Sequence, residues 1–346
     1  ANPTIQASQA TAATAPTTPA QGSTPAFAID VAQLGGMYAN KINLVGTEHG
    51  LGVRNAGNIA AIGEITLTAE GKLVNTGTLA AGETTPAARN TAGASPEGRM
   101  TLAVQAVDNS GTLMSTHDLR LTGRDEITNR GHIDAGRELT VTTDGQLANR
   151  SGTLSGQRLN IETATLDNAQ GTLRQTGSQN MNISAGSIAN RDGGLIGNLR
   201  TAAAETTTNG AANNTGSTTD NVTNTSPENA GETQASTAPV TSATPLADGR
   251  ISVRGALAND GGRIVANGRT TATAADGLSN RNATLDLADL TVGGERLDNT
   301  DGKITVDTAT ITARTLDNTR GKLSAETLAL DIGSLGNRGG ELIQTG

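Results

Sequence analysis

The sequence predicts an all-β fold: a parallel β-helix, or solenoid, with coils of about 19–20 residues. Three observations carry the solenoid. One short motif recurs twelve times in phase. Between its copies lies a period-two pair of apolar residues. Aromatic residues, which bury the most area in ordinary cores, are reduced to Phe27 and Tyr38.

The motif reads aliphatic, any residue, Asn, one or two residues, Gly, any residue, aliphatic. Its Asn falls at Asn55, Asn75, Asn109, Asn129, Asn149, Asn168, Asn190, Asn259, Asn280, Asn299, Asn318 and Asn337. An aliphatic stands two residues before every one, from Val53 and Leu73 to Leu316 and Leu335. The glycines are Gly57, Gly77, Gly111, Gly131, Gly152, Gly171, Gly193, Gly262, Gly302, Gly321 and Gly340, and Ala283 alone breaks the set. Closing aliphatics follow, among them Ile59, Leu113, Leu195 and Leu342. Nine of the eleven Asn-to-Asn spacings fall in one narrow band, as from Asn129 to Asn149 or from Asn299 to Asn318. The other two, Asn75 to Asn109 and Asn190 to Asn259, are one unit plus an insertion. Both insertions begin shortly after a closing aliphatic, past Leu79 and past Leu195, so both are expected to leave the same corner.

The apolar pairs are Ile65/Leu67, Leu102/Val104, Leu119/Leu121, Leu139/Val141, Leu159/Ile161, Met181/Ile183, Ile251/Val253, Leu290/Val292 and Leu328/Leu330. Such alternation marks a half-buried strand. Val, Ile and Thr favour strands, while Gly and Asn punctuate them. No long stretch of helical periodicity competes, and Gly, Thr and Asn are poor helix formers. A unit of this length with two or three short strands is one coil of a stack. Each strand pairs with its copy one coil away, at a rise of about 4.8 Å. Inward aliphatics then form columns, and stability is a sum of neighbouring-coil terms. Twelve anchors correspond to roughly 55–60 Å of stack.

The anchor residues have physical jobs. An Asn amide both donates and accepts, so Asn side chains stacked at one corner can bond one another in a ladder. Gly is expected to supply positive φ at the corner that follows. The Asn-to-Gly gap is two residues in the first four units and three from Asn149 onward, a widening by one residue.

The chain divides accordingly. Residues 1–26 read as a disordered low-complexity leader, and 27–54 as the start of the β-helix. Residues 55–200 are β-helix repeats with a loop insertion at 83–98. Residues 201–248 are a disordered insertion rich in Thr, Ala and Asn, and 249–346 resume the repeats. Leu, Ile, Val and Phe number 63, yet the three disordered stretches hold only Ile5, Val222, Val240 and Leu246. Such segments cannot bury enough apolar surface to fold. The beginning at Ala1-Asn2-Pro3 and the stop at Gly346 in mid-pattern read as part of a longer chain.

Chemistry-bearing constellations are sparse. The chain has no Cys, which excludes disulfides, Cys-ligated zinc and thiol nucleophiles. A formal charge of −8 argues against a nucleic-acid partner. No apolar run is long enough to span a membrane as a helix. His49, His117 and His132 lie apart without metal-ligand spacing. Asp108, Asp167, Asp298 and Asp317 recur just before the anchor Asn, where calcium binding competes with plain solvent exposure. Gly-Gly pairs lack the Lys-Ser/Thr of a phosphate loop. The tract 201–248 contains glycosylation-type triplets at Asn213, Asn221 and Asn224, read as chance matches in a spacer. β-Helices also host polysaccharide-cleaving enzymes, but those need paired carboxylates and usually stacking aromatics. Neither catalytic residues, cofactor nor metal is expected.

The stretch Leu34-Gly35-Gly36-Met37-Tyr38-Ala39-Asn40-Lys41-Ile42-Asn43-Leu44-Val45-Gly46-Thr47-Glu48-His49-Gly50-Leu51-Gly52-Val53-Arg54-Asn55-Ala56-Gly57 resembles a segment of the filamentous haemagglutinin family. These are large two-partner-secretion exoproteins, and they include contact-dependent growth-inhibition effectors. The resemblance extends over roughly residues 28–346 apart from the two insertions. It implies a right-handed β-helix serving as the shaft of a filament secreted to the Gram-negative cell surface. It implies an outer-membrane transporter as partner, acting through an N-terminal domain that this sequence lacks. It further implies that other regions meet a target-cell receptor or host surface, and that this region does not insert into a membrane. The expected function is structural: carrying distal binding or toxin parts away from the cell. The alternative is an adhesin surface that itself binds host glycan or protein.

Overall fold

The computed structural model describes residues 5–7, 27–82, 97–177, 180–198, 249–266 and 269–346. These belong to one unit, Ala1–Leu199 with Pro245–Gly346. The second unit, Arg200–Thr244, lies outside the described residues. So do most of the leader 1–26 and the insertion residues 83–96. Of the leader, residues 5–7 form a short strand whose Ile5 lies beside Ile42.

The described residues form a β-solenoid without helix, and strand pairings from Gly36 to Gln344 are parallel. The coil after Asn109 shows the plan. A strand at Thr112–Ser115 makes face A. The next, Asp118–Asn129, is interrupted in register between Gly123 and Glu126, giving faces B and C. Each face stacks on its copy: Leu113 on Ile133, Leu119 on Leu139, Ile127 on Leu147. The sequence period thus becomes the coil itself, because only that shift keeps every aliphatic facing inward.

The core is a set of columns. On face A, Ile59, Leu79, Leu113, Ile133, Leu154, Leu173, Ile196, Ile264, Leu285, Ile304 and Leu323 are fully buried. On face C the residues two before each Asn, from Val53 to Leu316, are buried as well. Each such side chain stabilises by roughly 1.5–3 kcal/mol before ordering entropy is counted. Narrow coils filled by Leu on Leu leave no room for rings, which accounts for the missing aromatics.

Both interruptions fall between faces A and B. The described chain stops at Gly82 and resumes at Glu97, and again stops at Asn198 and resumes at Gly249. Stacking continues across each: Leu67 lies beside Leu102, and Ile183 beside Ile251.

Two parts of the sequence pattern shift by a position. Ile196, not Leu195, takes the inward place on face A, since Leu195 pairs with Thr172 and Ile196 with Leu173. The corner before it is one residue longer than its neighbours. On face B there are three inward positions, not two. Met100 and Leu102 align with Ile65 and Leu67, and Val104 fills the third place. Before the 199–248 segment the large side chains occupy the first two places. After it Gly249 and Thr270 hold the first place and larger side chains the next two, so Ile251 stacks on Ile183 and Val253 on Ala185, and in the last coils Ala313 and Ile332 add a further inward position. Ala272/Ala274 and Ala309/Ile311 continue these columns. The sequence pattern missed them because Ala carries too little apolar signal.

Candidate functional site

The most regular chemical feature is the file of twelve asparagines. Each Nδ2 donates to the Oδ1 of the Asn one coil later, from Asn55 to Asn337, over eleven contacts of 2.7–2.8 Å. From Asn55 to Asn318 all eleven are completely buried. The second amide hydrogen serves backbone. Asn168 Nδ2 also lies 3.1 Å from Gly171 O in its own coil and 3.1 Å from Leu195 O in the next. Each Asn therefore ties the end of face C to the start of face A, in its own coil and in the following one. The file crosses both interruptions unbroken, through Asn75 to Asn109 and Asn190 to Asn259.

The corner glycines are required for a different reason than positive φ. Among those predicted, only Gly193 has it (φ 86°). At the others a Cβ would collide with the preceding coil: 2.0 Å from Gly57 O at Gly77, 1.8 Å from Asn149 O at Gly171, 2.0 Å from Asn299 O at Gly321. The glycine that meets this contact in the Asn190 coil is Gly194, 2.3 Å from Asn168 O, and Gly193 is the additional corner residue. Positive φ belongs to the residue inserted before the glycine from Asn149 onward: Ser151, Gln170, Asp192, Asn282, Asp301 and Arg320. At Ala283, the one anchor corner with a Cβ, the carbonyl sits 3.4 Å from Asn280 Nδ2, against 3.0 Å at Gly194 and 3.3 Å at Gly77. Gly171→Ala is expected to cost about 2–3 kcal/mol through overpacking. Gly193→Ala, with open space but a left-handed backbone, is expected to cost about 1 kcal/mol. Urea denaturation of the two variants checks the order.

The carboxylates before the anchor Asn are engaged by cations. Asp108 meets Lys72 and Arg130, each at 3.2 Å, and Asp167 meets Arg150 at 2.6 Å. Asp298, 2% exposed, takes Arg281 at 2.6 Å, Arg296 at 2.7 Å and the Thr300 hydroxyl at 2.7 Å. Burial pushes the Asp298 carboxyl up, but hydrogen bonds from Thr300 and Arg281 and the nearby Arg296 together outweigh it, leaving its pKa below the usual value. The stability it lends is present above the ordinary carboxylate range and is lost as pH falls through that lowered pKa. Asp317 lies 3.6 Å from Arg296. Among the described residues no three His, Asp or Glu side chains are grouped to hold a metal ion. His49 is in an exposed turn, His117 at the bend between faces A and B, and His132 at the exposed start of a face-A strand. They do not converge.

A family profile described as "Haemagglutinin repeat" matches residues 4–77, 87–151 and 148–196, more than half of the chain. Curated relatives include "Toxin CdiA" of Yersinia pestis, 29% identical over 252 residues, covering 50% of this chain and 8% of that protein. "tRNA nuclease CdiA-2" of Burkholderia pseudomallei is 59% identical over 59 residues, 17% of this chain and 2% of that one. "16S rRNA endonuclease CdiA" of Enterobacter cloacae is 35% identical over 138 residues, 38% and 4% respectively. The chain thus spans less than a tenth of each of these relatives. No solved structure matches it.

Proposed function

The chain belongs to the haemagglutinin-repeat family, and from that premise we propose that it is a shaft segment of a large two-partner-secretion exoprotein, holding distal binding or toxin parts away from the cell surface. One observation carries this: a continuous Asn file and core through twelve anchored coils, uninterrupted at either inserted segment. Every coil contacts only its neighbours, so the body gains length without gaining a cavity. The relatives' nuclease names belong to proteins of which this chain covers a few per cent. In this reading the catalytic part lies elsewhere in such proteins, and this region is not an enzyme. An outer-membrane transporter as export partner, and a secreted or surface location, follow from the same family reading.

The chain has no Cys, so spin labels can be placed uniquely. Labels on cysteines replacing Ser110 and Arg338, nine coils apart along the file, are expected to give one narrow distance distribution at about 43 Å. A broad distribution overturns the shaft. The same preparation is expected to leave tRNA and ribosomal RNA intact, and reproducible cleavage by residues 1–346 overturns the non-enzymatic part of the reading.

A further inference from the structure

The outward side of face B carries two columns of side chains, in register through twelve coils. The first runs from Asn43 to Thr327 and the second from Val45 to Ala329, and Thr fills half of their positions. Only four positions are charged: Arg120, Arg250 and Asp289 in the first column, and Glu162 in the second. None of the four makes an ion pair among the described residues. Elsewhere on the solenoid most cations meet a carboxylate of their own chain. The order of the four charges is symmetric. Arg120 lies three coils before Asn182, and Asp289 lies three coils after it. Glu162 lies one coil before that strand, and Arg250 one coil after. Opposite signs thus stand at equal distances on either side of Asn182.

We propose that face B is the interface of an antiparallel dimer, in which a second copy of this chain lies face to face across a two-fold axis running along the Asn182 strand. Such an axis sets the same patch of both copies together. It keeps the first column over the first column and reverses the order of the coils. Arg120 of each copy then stands opposite Asp289 of the other. Asn182 meets Asn182, and each amide can both donate and accept. Arg250 meets Asn160, with Glu162 two residues along the same strand, and Thr140 meets Thr271. The register is specific. An axis one coil earlier sets Arg120 on Arg250, and an axis one coil later sets Arg250 on itself. Copies lying parallel set Arg120 on Thr122 and Asp289 on Thr291, so no charge finds its opposite. Paired charges of this kind fix register and exclude wrong partners. The uncharged remainder matches the charge-depleted centre of known interfaces. The overlap from Thr66 to Thr327 is about 50 Å long at the coil rise. Two columns of that length cover roughly 600 Å² on each copy, the lower bound for a specific interface, and a reversible pair follows. The inference rests on the coil register alone and goes beyond the shaft reading.

The test is sedimentation of the whole chain at concentrations up to about 100 μM. The chain is expected to pass from monomer to dimer and no further. Arg120→Asp sets Asp against Asp289 at two places and is expected to weaken the pair at least about tenfold. Asp289→Arg, which sets Arg against Arg120, is expected to do the same. The variant carrying both exchanges restores the opposite signs and is expected to regain the original dissociation constant within a few-fold. Within one copy the two residues stand six coils apart, about 29 Å, so the rescue has no intramolecular explanation. Hydrogen exchange over residues 112–129 and 284–292 verifies that each variant keeps its coils. A chain that stays monomeric with intact coil protection overturns this inference and leaves the shaft reading standing. Single variants that dimerise as the original does, a double variant as weak as the singles, or growth beyond the dimer overturn it as well. Excess unlabelled chain keeps distances between copies out of the Ser110–Arg338 label measurement.

Discussion

Removing residues 299–317 is expected to shorten the solenoid by one coil and leave its unfolding transition nearly in place, whereas removing only 299–308 is expected to cost several kcal/mol. The longer deletion joins Asp298 to Asn318. Asn280 then meets Asn318, Leu285 meets Leu323 and Leu297 meets Leu335, each the partner that the register already gives to the next coil along. Every aliphatic keeps its face, and Asn280 Nδ2 still has an Oδ1 to donate to. The shorter deletion offers no such match. Ala309 falls at the position of Asn299, so the file breaks, and Ile311 falls where Asp301 adopts φ 55°. A β-branched side chain is strongly disfavoured there. The leftover residues 309–317 have to be expelled, which carries Ile311 and Leu316 from full burial into water. Denaturant midpoints rank the two variants. Hydrogen exchange over 309–317 is expected to be fast in the half-coil deletion. If the two deletions unfold alike, the coil register is wrong.

Asn168→Ala is expected to destabilise by roughly 3–5 kcal/mol, far more than an ordinary surface substitution. Asn168 accepts from Asn149 at 2.8 Å and donates to Asn190 at 2.7 Å, with Gly171 O and Leu195 O as further acceptors. Truncation leaves a donor above and an acceptor below in a site that no water enters, and each unmatched group costs about 1–3 kcal/mol. Asn337→Ala, at the half-buried end of the file with one contact to lose, is expected to cost about 1 kcal/mol. Asn168→Asp separates hydrogen bonding from shape. A carboxylate accepts from Asn149 but repels Asn190 Oδ1, and burial raises its pKa. Its penalty is therefore largest at neutral pH and shrinks as pH falls through that raised value, where the protonated acid regains a donor. Urea denaturation at several pH values measures this. A pH-independent penalty equal to that of Asn168→Ala defeats the account.

The twelve Asn positions and the coil period were legible in the sequence because backbone register copies sequence spacing. A motif that returns at a nearly constant interval can stack only on itself. The fault lines were equally physical. Leu195 and Ile196 are both aliphatic, so the pattern could not tell which faces inward. The decision came from one additional corner residue at Gly193-Gly194. The third inward place on face B was hidden because Gly123, Thr143 and Thr163 occupy it in three successive coils. The glycines at the close contact were found by position except in the Asn190 coil, where Gly194 and not Gly193 makes it, but the reason for them was not. The steric demand comes from a carbonyl on the previous coil, a full repeat away in sequence as Gly57 is from Gly77, and no local rule reports such a contact.

All eleven amide contacts of the buried file point the same way: nitrogen toward the later coil, oxygen toward the earlier one. The solenoid therefore has a chemical arrow along its axis. Setting one coil in the reverse sense would bring Nδ2 against Nδ2 on one side and Oδ1 against Oδ1 on the other, a contact that cannot be satisfied, so every coil of the file is laid down in the same sense. Val31 occupies the ladder position in the coil before Asn55 and presents a hydrocarbon there. The file is thus sealed at its oxygen end and is extended only from its nitrogen end.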